Sequence, residues 1–243
     1  MRYFLGVHRF APTLALVGDT GWIPSVYRRW TCMLRFWNRL ILMDNDRLTK
    51  KVFIYDYNLC TNNWTSEIKQ VMCKLGLTDH FDNKSIVNMS YVKHLMTDYY
   101  GNAWSRGIQN VPKLRSYKLF KDSFNCEQYV STNLKKNERS ILCQFRCGIL
   151  PIRIETGRYI GETPEQRLCR FCDMQTVEDE RHFLLHCGLY THIRENVFHD
   201  ILVNDAFVNN NSEGKMTYLL QTFPRKVAKY LAQAYLKRRN VIY

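Results

Sequence analysis

The sequence predicts a mainly α-helical protein, in which a helical bundle-like N-terminal part is followed by a small cysteine- and histidine-rich knuckle embedded in helices. Two observations carry this prediction. Apolar residues recur at spacings of three and four along several segments, as in helices that bury one face. Among these segments lies the run CRFCDMQTVEDERHFLLHC, with closely spaced cysteine and histidine residues. A chain of 243 residues can form one large domain or two small ones with a substantial core.

We predict one helical region for residues 1–110, beginning with an irregular stretch that proline and glycine interrupt. The first strong helix has apolar residues at helical spacing, namely Tyr27, Trp30, Leu34, Trp37 and Ile41. A shorter helix over LTKKVFIYDYNLC follows it. Thr65 is expected to cap the next helix, and Gly76 to end it. A further amphipathic run occupies residues 85–107.

Residues 111–243 are predicted to form a second, basic helical region that contains the knuckle at residues 169–187. A core helix precedes the knuckle. Its Cys143 and Cys147 lie four residues apart, and core packing is favoured because no neighbouring pair completes a metal site. The last helix, from Pro224 onward, is expected to direct its basic residues outward.

The knuckle has the spacing Cys169-x2-Cys172, nine residues, then His182-x4-Cys187. Two cysteines separated by two residues can hold a Zn²⁺ ion from one tight turn, and a nearby Cys/His pair can complete a tetrahedral site. A helix that begins near His182 must distort or stop before Cys187, because residues five apart do not share one helix face. His186, four residues after His182, remains an alternative fourth ligand.

Four protein ligands leave no open position for water, so the predicted zinc is structural and not catalytic. The sequence contains no Asp-Asp pair, phosphate-binding loop or nucleophile elbow. The acidic run Glu178-Asp179-Glu180 is interpreted as a charged spacer. We therefore expect no enzymatic activity from this chain.

The formal net charge of +13 favours a polyanionic partner, with nucleic acid preferred over an acidic membrane surface. Candidate phosphate contacts are the arginines around the knuckle and two lysines of the last helix: Arg153, Arg158, Arg167, Arg170, Lys226 and Lys229. Phe171 is a candidate for stacking on a base, or alternatively for covering the zinc sulfurs. RNA, single-stranded DNA or target DNA is the expected ligand.

Nine scattered cysteines do not resemble the disulfide framework of a secreted protein. Together with the absence of a signal peptide, this pattern predicts an intracellular protein, nuclear or cytoplasmic. No stretch of the sequence approaches twenty apolar residues, so no membrane span is expected.

The segments FLGVHRFAPTLALVGDTGW and PSVYRRWTCMLRFWNRLI, with NDRLTKKVF, resemble the region after the polymerase palm of LINE-type, non-long-terminal-repeat retrotransposon polyproteins. RCGILPIRIETGRY, LCRFC and DERHFLLHC resemble the C-terminal zinc knuckle of the same polyproteins. The resemblance implies thumb-like helices in residues 1–110 and a CCHC knuckle, without the catalytic palm of the reverse transcriptase. A reverse transcriptase core is then a possible partner.

Two functions follow as hypotheses. The first is a non-catalytic nucleic-acid-binding fragment of a retrotransposon reverse transcriptase, in which the knuckle presents basic residues. The alternative is a zinc-stabilised helical module that binds another protein and no nucleic acid. Their responses to salt differ, since phosphate contacts weaken steeply as salt is raised.

Overall fold

The computed structural model describes residues 1–242 and is mainly helical, which confirms the predicted fold class. Within those residues, β-structure is limited to isolated bridges between Thr20 and Cys126 and between Leu168 and Val177. The α-helices are α1 (Arg2–Leu5), α2 (Thr13–Thr20), α3 (Ser25–Ile41), α4 (Leu48–Leu59), α5 (Trp64–Lys74), α6 (Thr78–Asp82), α7 (Met89–Gln109), α8 (Tyr117–Phe120), α9 (Gln128–Ser131), α10 (Lys136–Arg146), α11 (Arg153–Thr156), α12 (Thr191–Leu202), α13 (Asp205–Val208), α14 (Ser212–Thr222) and α15 (Pro224–Ile242). A π-helix, His182–His186, lies in the knuckle.

The chain divides into two compact units. Ile23–Ala103 forms one, which we call the inserted unit, and Met1–Trp22 forms the other together with Trp104 and the residues after it, which we call the discontinuous unit. The sequence-based division near residue 110 differs from this one, because the first 22 residues belong with the C-terminal part. Their attachment is visible in the hydrogen bond from Trp104 Nε1 to the Leu14 carbonyl, at 2.8 Å.

Aromatic side chains fill the core of the inserted unit. Trp37 is fully buried, stacks on Phe81 at 5.3 Å between ring centroids, and donates its indole N–H to the Ser85 carbonyl at 3.0 Å. Leu34 is buried as its helical spacing predicts. The cap of α5 differs from the expected one, since Asn63, and not Thr65, accepts a hydrogen bond from the backbone N–H of Ser66.

The helix α15 organises the discontinuous unit by packing against α9, α10, α12 and α14. Val227, Tyr230 and Leu231 are fully buried, as their spacing predicts, and Lys229 is exposed. The prediction that every basic residue of this helix points outward is wrong for Arg238, which is 5% exposed. Arg238 lies eleven residues after Val227 and so continues the buried face of the helix.

A buried ion pair joins α2 to α10. Arg146 donates two hydrogen bonds, of 2.9 and 2.8 Å, to the two carboxylate oxygens of Asp19. Tyr117 and Tyr129 donate their hydroxyls to the same carboxylate at 2.9 and 2.7 Å, and Glu127 lies 2.9 Å from Arg146. The desolvation of both charges is thus offset by hydrogen bonds on every side. Cys143 and Cys147 are buried in the core beside this network, as expected.

None of the helices in the described part of the chain combines the length and the apolar character that a bilayer crossing requires.

Candidate metal centre and its basic surroundings

A short hairpin presents the first two cysteines of the knuckle. The backbone N–H of Cys169 donates to the Thr176 carbonyl at 2.8 Å, and that of Glu178 donates to the Arg167 carbonyl at 3.0 Å. The chain between them turns back tightly, so that the Phe171 N–H points to the Cys169 sulfur at 3.5 Å. An N–H group directed at a sulfur stabilises the thiolate that a metal ion requires.

The π-helix His182–His186 positions the other two residues. Its closing hydrogen bond runs from the Cys187 N–H to the His182 carbonyl at 2.9 Å, so it spans five residues and not four. The wider turn brings Cys187 round to the side of His182, which an α-helix would not do. The expected distortion of the helix is therefore confirmed. His186 is exposed, and the residue that joins Cys169, Cys172 and His182 in the group that could hold a metal ion is Cys187.

The ligand atoms of Cys169, Cys172, His182 and Cys187 all lie within 4.8 Å of one another, in a group that could hold a metal ion. The sulfurs of Cys169 and Cys187 are 3.8 Å apart, and Cys172 Sγ is 3.4 Å from His182 Nε2. A tetrahedron with metal–sulfur distances of about 2.3 Å has edges of about 3.8 Å. The spacing of these atoms is therefore compatible with zinc.

Neighbouring groups hold the His182 ring and two backbone carbonyls at the end of the knuckle. His182 is buried, and its Nδ1 lies 3.1 Å from the Thr176 hydroxyl, which leaves Nε2 facing the sulfurs. Arg194 donates to the carbonyls of Leu184 and Cys187, both at 3.0 Å. Such contacts around a metal-binding histidine set its tautomer and its orientation.

The short contact between two of the thiols makes them inequivalent. A hydrogen bond with Cys187, followed by burial, raises the pKa of Cys169 to about 12. The same hydrogen bond lowers the pKa of Cys187. The contact therefore favours the protonated form of Cys169, and a metal ion that binds both sulfurs must displace a proton from this thiol.

The acidic run Glu178-Asp179-Glu180 within the knuckle is mostly buried, so its interpretation as a charged spacer is wrong. Glu178 is fully buried, accepts the backbone N–H of Arg153 at 2.8 Å, and binds the Arg238 guanidinium with both carboxylate oxygens. Glu180 is 1% exposed and accepts from Arg115 and from the Ser116 hydroxyl. Glu178 thereby attaches the hairpin to α15.

A cavity of about 360 Å³, which we call the Phe171 cavity, lies beside the hairpin. Its basic and aromatic lining residues are Arg153, Arg170, Phe171, Tyr235, Arg238 and Arg239. The Arg238 guanidinium lies 4.5 Å from the centroid of the Phe171 ring. Of the predicted contacts, Arg170 is exposed, whereas Arg153 is 8% exposed and paired with Glu162.

A second cavity of about 530 Å³, which we call the Arg158 cavity, contains the other two predicted arginines. Its basic lining residues are Lys113, Arg115, Arg158 and Arg167. The predicted lysines of α15 line neither cavity: Lys229 is exposed, and Lys226 lies 2.6 Å from Asp200. The structure thus separates the predicted basic residues into three groups.

The residues that the sequence interpretation missed come from distant parts of the chain. Arg238, Arg239 and Tyr235 complete the Phe171 cavity, and Lys113 and Arg115 complete the Arg158 cavity. The helical spacing of α15 was a usable signal for the buried position of Arg238. No comparable signal in the sequence connects residues 113–115 with residues 158–167.

Comparisons with protein-family models, with curated proteins and with solved structures gave no match.

Proposed function

We propose that this chain is a non-catalytic nucleic-acid-binding protein, in which a structural Zn²⁺ ion orders a basic and aromatic surface. The ion would be held by the four cysteine and histidine ligands of the knuckle. The observation that carries the proposal is the Phe171 cavity, where aromatic rings and guanidinium groups converge directly beside the metal-binding cluster. Rings stack on bases, and guanidinium groups bind phosphate oxygens, so both halves of a nucleotide have a partner there.

Zinc is the metal that this donor set favours, since three thiols and one imidazole suit a tetrahedral, borderline-soft cation. When bound, it would supply a cross-link and no chemistry, because four protein ligands fill its coordination shell. The Cys169–Cys172 turn holds Phe171 between its two ligands. Fixing that turn would fix the ring against Arg238, and both residues line the cavity.

Unpaired nucleotides are the favoured ligand. A cavity of about 360 Å³ is comparable with a single small-molecule site and is too small to admit a duplex. Stacking of one base on an aromatic side chain contributes about 1–3 kcal/mol. We therefore propose RNA, or single-stranded or target DNA, as the partner.

The proposal that the chain corresponds to the C-terminal region of a LINE-type reverse transcriptase polyprotein rests on the sequence motifs alone. It adds a reverse transcriptase core as a second proposed partner. A non-catalytic role agrees with the assignment of the buried acidic residues, since Asp19, Glu178 and Glu180 are each engaged by arginine.

The test is equilibrium binding of a fluorescent single-stranded RNA by the zinc-loaded chain at several salt concentrations. We expect log affinity to fall with log salt at roughly −0.7 per phosphate contact. Phe171→Ala should weaken binding about 5- to 150-fold, the equivalent of one lost stacking contact of about 1–3 kcal/mol. Tyr91→Ala, which removes an exposed ring of the inserted unit, is the matched control.

Zinc content must be measured on each variant, because Phe171 lies between two proposed ligands. An affinity that does not depend on salt, or a loss that is equal for Phe171→Ala and Tyr91→Ala, would contradict nucleic-acid binding at this cavity.

One observation favours the alternative, a protein-interaction module. The helix α4 exposes apolar residues at spacings of four, three and four, namely Leu48, Val52, Tyr55 and Leu59. An amphipathic helix of another protein can pack on such a stripe. Salt-independent binding of a protein partner that Val52→Lys abolishes would support this function over the first.

A further inference from the structure

The Arg158 cavity has the composition of an anion site that is separate from the metal-binding cluster and from the Phe171 cavity. We propose that it binds a phosphate group of the nucleic-acid backbone, through Lys113, Arg115, Arg158 and Arg167. The identity of the occupant rests on the proposed function, whereas the affinity for a phosphate group does not.

The charges around the cavity are arranged in two layers. Glu155 and Glu180 have side chains that are 4% and 1% exposed, and they form the buried layer. The cations above them are more accessible, with 23% of the Lys113 side chain, 30% of Arg115 and 40% of Arg158 exposed. An approaching ligand therefore meets the cations first, and the carboxylates hold these side chains in place from below.

Three of the four cations pair with two buried carboxylates, and Arg167 interacts electrostatically with Glu165, so the site keeps an excess of one positive charge. Lys113 and Arg158 share Glu155, at 2.7 and 3.0 Å, and Arg115 pairs with Glu180. Arg167 pairs with neither of these two glutamates, and instead donates to the carbonyls of Ile154 and Glu162 at 2.6–3.1 Å. The excess positive charge favours an anion over an apolar ligand.

The cations also keep hydrogen-bond donors that the protein does not use. The Nε of Arg115 is buried and has no partner within the described protein. Arg158 uses NH1 for both of its hydrogen bonds to Glu155, although a guanidinium has five N–H groups. A phosphate group, with several acceptor oxygens, can satisfy several of these donors at once. Because the side chains are already held by their carboxylates, little rotamer entropy is lost on binding.

The position of the Arg158 cavity favours a nucleic-acid strand over an isolated phosphate ion as its ligand. The segment α11 contributes Arg153 and Thr156 to the lining of the Phe171 cavity. It contributes Ile154 to the lining of the Arg158 cavity, which also includes Arg158, two residues after the end of α11. The two cavities therefore adjoin the same short segment. A single strand that places a base in the Phe171 cavity can pass a neighbouring phosphate to the Arg158 cavity.

The deciding experiment is the salt dependence of RNA binding for Arg158→Gln in the zinc-loaded full chain. Glu155 keeps its contact with Lys113 in this variant, so the fold should be retained, and the melting temperature and zinc content check this. Loss of one phosphate contact should reduce the steepness of the log–log plot by about 0.7 and the affinity at 0.1 M salt by about fivefold. Arg158→Lys should restore most of both.

Arg225→Gln makes the same charge change at an exposed residue of α15 outside both cavities, and should leave the slope unchanged. An equal change of slope in Arg225→Gln and Arg158→Gln would overturn the proposal, since it would mean diffuse attraction by the net charge. A salt dependence in Arg158→Gln that equals that of the unmodified protein would overturn it as well. In either case, a lower RNA affinity of Phe171→Ala would still support the proposed function.

Inorganic pyrophosphate, measured by calorimetry on the same proteins, separates a phosphate of the strand from a free phosphate. If RNA does not bind but pyrophosphate binds and requires Arg158, the cavity is an anion site and the proposed nucleic-acid function is wrong. Binding of a poly-glutamate peptide in preference to both would overturn the assignment to phosphate. If RNA, pyrophosphate and the peptide all fail to bind, both proposals are overturned.

Discussion

Each of the two units of the chain is stabilised internally by a different kind of interaction. The ion pairs among the described residues join side chains of the discontinuous unit, and several of them are buried, as in Asp19–Arg146 and Glu178–Arg238. In the inserted unit, aromatic rings pack around Trp37, and lysines lie over rings, as Lys84 does over Tyr57 at 4.4 Å. The discontinuous unit also contains the four cysteine and histidine residues that could hold a metal ion.

The difference shows how each unit obtains its structural specificity. Apolar burial is roughly proportional to area and is not directional, so the inserted unit tolerates exchange of similar side chains. A buried ion pair is directional, and removing one partner leaves an uncompensated charge. We expect replacement of a single buried charged residue to lower the stability of the discontinuous unit strongly. Replacement of an apolar residue of the inserted unit by a similar apolar residue should have little effect.

The largest effect should come from the proposed zinc ligands. Cys169→Ser, or removal of zinc by a chelator, should abolish stoichiometric zinc and unfold the hairpin, since structural zinc contributes on the order of 10 kcal/mol at neutral pH. Hydrogen exchange should rise in residues 167–187 and stay low around Trp37. Elemental analysis and exchange mass spectrometry are the measurements.

Cys73→Ser, at an exposed cysteine of the inserted unit, should keep both zinc and exchange protection. Loss of protection around Trp37 on chelation would show that the two units do not respond separately.

The second effect concerns the buried pair in the discontinuous unit. Arg146→Met should lower the free energy of unfolding by about 3–5 kcal/mol, because the Asp19 carboxylate is left buried without its cation. Combining it with Asp19→Asn should recover part of that loss. Denaturant unfolding of the single and double variants measures the coupling.

Leu34→Ala in the inserted unit is the comparison, with an expected loss of about 2–5 kcal/mol from cavity formation. Adding Asp19→Asn to Leu34→Ala should give additive losses. If Asp19→Asn fails to offset any of the Arg146→Met loss, charge burial is not the cause of that loss.

The smallest effect concerns a surface ion pair between α12 and α15. A hydrogen bond from Lys226 lowers the pKa of Asp200. A carboxyl group whose pKa is lowered by folding stabilises the protein above its ordinary pKa, and this contribution is lost as the pH falls through the lowered pKa. Lys226→Met should return the pKa of Asp200 toward about 3.9, which an NMR titration can follow.

This prediction also bears on the proposed phosphate contacts of α15, because Lys226 pairs with Asp200 whereas Lys229 is exposed. Lys229→Met should leave the titration of Asp200 unchanged. If the pKa of Asp200 is the same in Lys226→Met as in the unmodified protein, the ion pair does not persist in solution.

Much of the fold could be predicted from local pattern. The helical spacing of Leu34 and Trp37, and of Val227 and Tyr230, reports which face is buried, because helix geometry is local. The unit boundary could not be predicted in this way. It depends on α2 packing with α10, and no periodic signal relates residues 127 positions apart.

The sequence by itself determined the helical class, the excess of positive charge and three members of the candidate metal site, namely Cys169, Cys172 and His182, because these depend on composition or on spacing within one short segment. The choice of Cys187 over His186 needed the π-helix. Only the tertiary structure decided which basic residues face a ligand. Arg146 is buried against Asp19 and Glu127 and lines neither cavity, whereas Arg115 and Arg158 pair with carboxylates and also line the Arg158 cavity. Pairing of charges over long separations depends on how helices pack, and the identity of a residue does not reveal its partner.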